Sequence, residues 1–191
     1  MAKNKLGFKA VLDKAMTVQA QGSATAIGED TAANVSVESH TVDRGKVTLT
    51  FGKVTATAAG TSEAGGTYAT AQTGATVADA DFGHSLTKTT SGGGSDWASA
   101  TSTTRFFAID VKGFEFKNGN FVSTSLPEKT VTTSPKVPAG NVATLGMDAT
   151  ATGDYSVVKA EASVIATDSF SDVAASVVSS ADGQSDYHLF G

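Results

Sequence analysis

The sequence contains no cysteine, which excludes a disulfide framework, a thiolate nucleophile and any zinc site built on thiolates. It has three prolines and one tryptophan in 191 residues, and leucine and isoleucine together number only ten. A chain so poor in Leu and Ile cannot build a thick helical core. Charged residues make up 17% and the net charge is -5, an acidic balance that argues against nucleic acid as the main partner. No hydrophobic run approaches the roughly 18 residues that a membrane-spanning helix needs, so no integral membrane span is expected.

Ala, Thr, Ser, Gly and Val supply 116 of the residues. Thr and Val fit a pleated surface, and small side chains let sheets stack closely. The large apolar content sits near the edge where composition begins to suggest disorder. The modest net charge and the alternation of β-branched with polar residues point instead to a folded chain. The expected fold class is all-β: a single β-sandwich or jelly-roll-like domain with a short N-terminal helix or arm. Small side chains bury little area at about 25 cal/mol per Å², so such a domain gains stability by association.

Residues 1–20 differ from the rest. Lys3, Lys5, Lys9 and Lys14 stand against Asp13 alone, a net +3, while the remainder of the chain carries -8. Phe8, Val11, Leu12, Ala15 and Met16 recur at the spacing of one helical face. This predicts a basic amphipathic arm over 1–20, followed by the sandwich domain over 21–191. Lys9, Asp13 and Lys14 interrupt any apolar run of a Sec signal peptide, so none is expected.

From Met16 the period becomes two. Residues 34–42 and 46–58 read as strands joined by Asp43-Arg44-Gly45, with Val47, Leu49 and Phe51 on one face and a bulge at Gly52. Residues 60–103 are nearly free of large apolar side chains and hold Gly65-Gly66 and Gly92-Gly93-Gly94. They read as long loops with one or two weak strands around 67–80, displayed outward. Tyr68 and Trp97 are the candidate exposed contact residues of that region. Residues 104–125 collect most of the large side chains, including Phe106, Phe107, Phe116 and Phe121. This predicts the core centre there, with a hairpin at Asn118-Gly119. Pro127, Pro135 and Pro138 mark an ordered crossover with an edge strand. Residues 141–152, 155–167 and 172–180 read as three further strands. Ala160, Ala162, Val164 and Ala166 form a thin face fit for a second sheet or a neighbouring subunit.

The last 32 residues contain no Lys or Arg and close on Tyr187-His188-Leu189-Phe190-Gly191. This acidic, Ser/Ala-rich ending resembles the C-terminal export signals of proteins secreted by type I systems. The resemblance implies an extracellular or cell-surface location. The calcium-binding nonapeptide repeat frequent in that group is absent.

No phosphate-binding loop, dinucleotide fingerprint or GxSxG elbow is present, and His40, His84 and His188 lie in different segments without catalytic context. No enzymatic centre and no cofactor are expected. Two acidic groupings are candidate metal sites: Asp79, Asp81 and His84, and Asp182 with Asp186 around a glycine-containing turn that suits calcium. The expected partner is a second copy of the chain, joined head to tail. Lys3, Lys5, Phe8, Lys9, Leu12 and Lys14 of the arm would dock on a neighbour's sheet edge or acidic strand. The product would be an extracellular filament or surface layer. The alternatives are a virion subunit (tail, fibre or capsid decoration) and a monomeric carbohydrate- or ligand-binding module.

Overall fold

A computed structural model describes residues 15–111, 120–153 and 155–182. These form eleven strands and no helix. In chain order they are β1 (Met16–Ile27), β2 (Asp30–Asp43), β3 (Val47–Thr61), β4 (Tyr68–Ala78), β5 (Phe82–Gly93), β6 (Trp97–Val111), β7 (Asn120–Ser125), β8 (Lys129–Val131), β9 (Asn141–Thr152), β10 (Tyr155–Thr167) and β11 (Phe170–Asp182). The fold is a β-sandwich. One sheet has four strands in the order β10-β11-β1-β4. The other has the order β7-β5-β6-β3-β2-β9, with β8 continuing beside β5.

The interior is thin. Its central cluster holds ten alanines, six valines and a single phenylalanine, Phe106. Alternation along β2 places Thr31, Ala33, Val35, Val37, Ser39 and Thr41 inward. Along β1 the inward set is Met16, Val18, Ala20, Gly22, Ala24 and Ala26. A Cβ on Gly22 would stand 2.9 Å from Val54 Cγ1 and 3.0 Å from Val35 Cγ1, so the opposing sheet fills the place of a side chain there.

Hydroxyl pairs flank this aliphatic belt. Ser39 Oγ lies 2.9 Å from Ser179 Oγ, and Thr41 Oγ1 lies 3.0 Å from the same atom. Thr31 Oγ1 lies 2.7 Å from Ser171 Oγ. Toward β4, Thr73 Oγ1 lies 2.8 Å from both Ser102 Oγ and Thr104 Oγ1. A buried hydroxyl needs a partner, and here the two sheets satisfy each other.

Several expectations need correction. Residues 60–103 are not long loops: β4, β5 and the start of β6 fill them. Large apolar residues are scarce because Ala71, Ala75, Ala100 and the hydroxyl pairs close the narrow gap between sheets. The core centre is not at 104–125. Phe106 is buried, but Phe107 is 41% and Val122 is 47% exposed, because alternation turns them outward. Val47, Leu49 and Phe51 do share a face, and it is the outer one. Gly52 is no bulge: β3 keeps an unbroken register with β2 and β6 across it. Gly52 sits opposite Phe106 and leaves room for that ring, which occupies the space of a Cβ.

The β2–β3 loop is as expected, with Gly45 at φ 78° and its N–H donating to Asp43 Oδ1 at 2.5 Å. The proline segment also crosses as expected. The strands β7 and β8 run parallel to β5, and the register slips by one residue at Pro127. The chain then passes to β9, parallel to β2 on the opposite edge. The helix and arm residues up to Lys14, the Asn118-Gly119 turn, Phe116 and the last nine residues lie outside the described residues. The period-two pattern begins at Met16, so β1 occupies the last five positions assigned to the arm.

Candidate functional site

Two surfaces stand out, and each follows from strand alternation. The first is the outer face of the larger sheet. Cross-strand register brings His40, Phe51, Phe107, His84 and Val122 into one row. The next row holds Val42, Leu49, Ile109 and Phe82. Phe51 and Phe82 are each 52% exposed. Ring centroids lie 5.7 Å apart for Phe82–Phe107, 6.3 Å for His84–Phe107 and 5.4 Å for His40–Phe51, so the rings make two clusters that the Phe51–Phe107 register sets side by side as one platform. His40 Nδ1 is hydrogen-bonded to Thr150 Oγ1 at 2.8 Å, which fixes one rim. On the other side run Glu38, Lys53 and Arg105, all exposed. An outward cluster of this size is typical of a contact surface.

The second surface is β10. It ends the four-stranded sheet, and among the described residues it pairs only with β11. All thirteen of its residues are exposed. Val158, Ala160, Ala162, Val164 and Ala166 share the face of the buried Val173, Ala175 and Val177 on β11 and remain exposed, with β9 of the opposite sheet near them. Val157, Lys159, Glu161, Ser163 and Ile165 lie on the outer face.

Lys159 Nζ stands 2.6 Å from Glu161 Oε1. The hydrogen bond and then the charge of Lys159 hold the Glu161 carboxyl below its ordinary value. Long apolar edge strands are commonly blunted by charge, proline or a bulge. Here the one lysine is neutralised two residues away on the same face, and the strand contains neither proline nor bulge. The edge at β7 and β8 differs, since Pro127 interrupts it and Pro135 and Pro138 follow.

Two polar concavities accompany these surfaces. A trough of about 550 Å³ crosses the outer face of the four-stranded sheet through Glu161, Ser176, Gln21 and Gln72. A cleft of about 570 Å³ separates β4 from β5 and is lined by Tyr68, Gln72, Thr87, Thr89 and Glu128.

The sequence candidates fare unevenly. Tyr68 is 52% exposed at the start of β4. Of the two readings of a tryptophan in this stretch, an anchor on the body and an exposed contact, Trp97 takes the first: it is 8% exposed and packs over Gly92 and Gly94, where side chains would collide with its ring. The two aromatics do not form one platform, because they belong to different sheets. Asp79, Asp81 and His84 are not brought together: no group of three or more acidic or histidine side chains placed to hold an ion occurs among the described residues. Asp81 instead accepts the Val111 N–H at 2.8 Å, tying the end of β6 to the start of β5. The side chains of Asp182 and Asp186 lie outside the described residues, as do Lys3, Lys5, Phe8, Lys9, Leu12 and Lys14.

A hydrophobic run normally signals burial, so the aromatic platform is not evident from the sequence. The unbroken alternation through Gly52 was the available signal. No helix among the described residues is long and apolar enough to cross a membrane.

Comparison with protein-family models, curated proteins and solved structures finds no match. Function therefore has to be argued from the surfaces themselves.

Proposed function

We propose that this chain is a non-enzymatic structural subunit that assembles with copies of itself, as an extracellular filament or surface layer. The observation that carries the reading is β10, a thirteen-residue edge strand exposed on both faces and rich in valine and alanine. An open edge of this kind is a template for an added strand. The aromatic platform offers a second, separate contact, and two different contacts are what a growing polymer requires. The basic arm, with Lys3, Lys5, Lys9 and Lys14 around Phe8 and Leu12, supplies a charge-driven contact to the acidic body of a neighbour. That attraction weakens at high ionic strength.

The test is negative-stain electron microscopy of the purified chain at low and high salt, with and without residues 1–14. The deletion stops at 14 because Met16 opens β1 and is buried. Ordered filaments or layers that depend on the arm and on low salt support the reading. A monomer under every condition refutes it.

A second reading is a binding module for a small polyol, based on the hydroxyl-lined cleft beside Tyr68. It requires a monomer whose saccharide binding is lost in Tyr68→Ala, read by calorimetry.

A further inference from the structure

We infer that β10 pairs with β10 of a second copy, antiparallel across a two-fold axis at Ala160. The two four-stranded sheets thereby join into one of eight strands. The inference rests on the self-assembly reading and names the partner of that edge.

The argument is one of register. Two copies of a strand related by a two-fold axis run antiparallel, and each residue faces a fixed partner. A shift of one residue would set the apolar inner face of one strand against the outer face of the other, so only shifts of two are compatible with a continuous sheet. With the axis at Ala160, Lys159 faces Glu161 of the second copy, and Glu161 faces its Lys159. Four charges then alternate across the joint, extending the Lys159–Glu161 pair already present within each strand.

The registers on either side fail. An axis at Lys159 sets lysine against lysine, and one at Glu161 sets glutamate against glutamate. Like charges directly opposite are destabilising and opposite ones stabilising, and axes at Val158 or Ala162 set both charges against uncharged residues, so the axis at Ala160 is the one of these that pairs opposite charges.

The remaining pairs agree. On the inner face Val158 meets Ala162 of the partner, and Ala160 meets its own counterpart. On the outer face Val157 meets Ser163, and Tyr155 meets Ile165. The large exposed side chains thus pass to the sides of small ones or join another apolar group. The other edge of this sheet, β4, has no charged residue and offers no comparable code. The joint is isologous and closes on itself, so it produces a dimer. Extension beyond two copies uses a different surface.

The test uses the full chain with single charge reversals, read by sedimentation velocity. Lys159→Glu places carboxylates opposite one another, and Glu161→Lys places ammonium groups opposite one another. Each variant should dimerise at least about tenfold more weakly than the parent. Mixed in equal amounts, the two variants should form a heterodimer, because every opposing pair is then of opposite sign. Effects confined to one strand cannot produce that recovery.

Ala160→Cys provides a second readout, since the chain has no other thiol. Mild oxidation should give a covalent dimer through position 160, and much less of one from Ala162→Cys, which faces a valine. Thermal melting of each variant controls for folding. If the parent associates but the reversals leave association unchanged and Ala160→Cys does not cross-link, the two-fold joint is wrong and the assembly reading stands. If the parent stays monomeric at all concentrations, both fail.

Discussion

Phe106 and Phe107 are neighbours in sequence and opposites in environment, which makes them a sharp test of how β6 lies in the sandwich. Phe106 is 4% exposed and is the only large side chain in the central cluster. Its ring occupies the space above Gly52, which has no side chain with which to fill a void. Removing a buried phenylalanine ring costs about 3–5 kcal/mol, depending on how far the site can collapse. The glycine beneath and the alanines around it leave little to collapse, so Phe106→Ala belongs in the upper part of that range. For a domain of this size the cost lowers the melting midpoint by roughly 6–20 °C.

Phe107 is 41% exposed and touches Phe82 and His84 at ring distances of 5.7 and 6.3 Å. Each aromatic contact is worth about 0.5–1.5 kcal/mol and this ring buries less area than that of Phe106, so Phe107→Ala should cost less than Phe106→Ala. Circular dichroism melts of the two variants, at a concentration where the protein is monomeric, give the comparison. Equal losses, or a larger one for Phe107→Ala, would mean that the strand's phase is misassigned and that the aromatic platform is core rather than surface.

Other outcomes follow from the same structure. Gly22→Val forces methyl groups against Val35 and Val54 and should destabilise by about 1–3 kcal/mol in urea unfolding, whereas Gly74→Ala, which meets nothing within 4 Å, should not. Thr104→Val removes the hydroxyl that joins Thr73 and Thr87 and should cost about 1–3 kcal/mol by the same assay. The Glu161 carboxyl is held below its ordinary value of 4.5 by Lys159, so any contribution of that pair to folding is present above this pH. It disappears as the pH falls through the lowered value. Both side chains are well exposed, so Glu161→Gln should leave the melting midpoint at pH 7 unchanged at a concentration where the protein is monomeric.

Much of the strand pattern is legible in the sequence because Val and Thr alternate where one face is buried and the other wet. That holds for β2 and β3, whose connecting loop is marked by Gly45; β9 and β10 show the same alternation although neither has a buried residue. It fails for β4, the end of β5 and the first half of β6, where Ala, Ser, Thr and Gly dominate both faces. In a thick sandwich such a stretch would be a linker, but here the sheets approach closely enough for Ala71, Ala75 and Ala100 to serve as core.

The site was legible only in part. The Ala/Val face of β10 can be read from alternation, but its place at a sheet edge depends on strand order, which pairing between distant segments decides. The aromatic platform is a property of register across β2, β3, β6 and β5, and no local window contains it.

The position of β1 carries a consequence for the timing of folding. This strand lies between β4 and β11, pairing Met16 with Ala181 and Ile27 with Phe170 along its whole length. During synthesis the larger sheet can begin with the β2–β3 hairpin and β1 can pair with β4, but the second partner of β1 lies more than 140 residues downstream. The four-stranded sheet therefore closes only after β11 has left the ribosome. Until then β1 has only β4 beside it, and pairing across so long a stretch of chain is slow to form. A chain built this way reaches its folded form late, and its edge strand β10 becomes presentable only in the same final step.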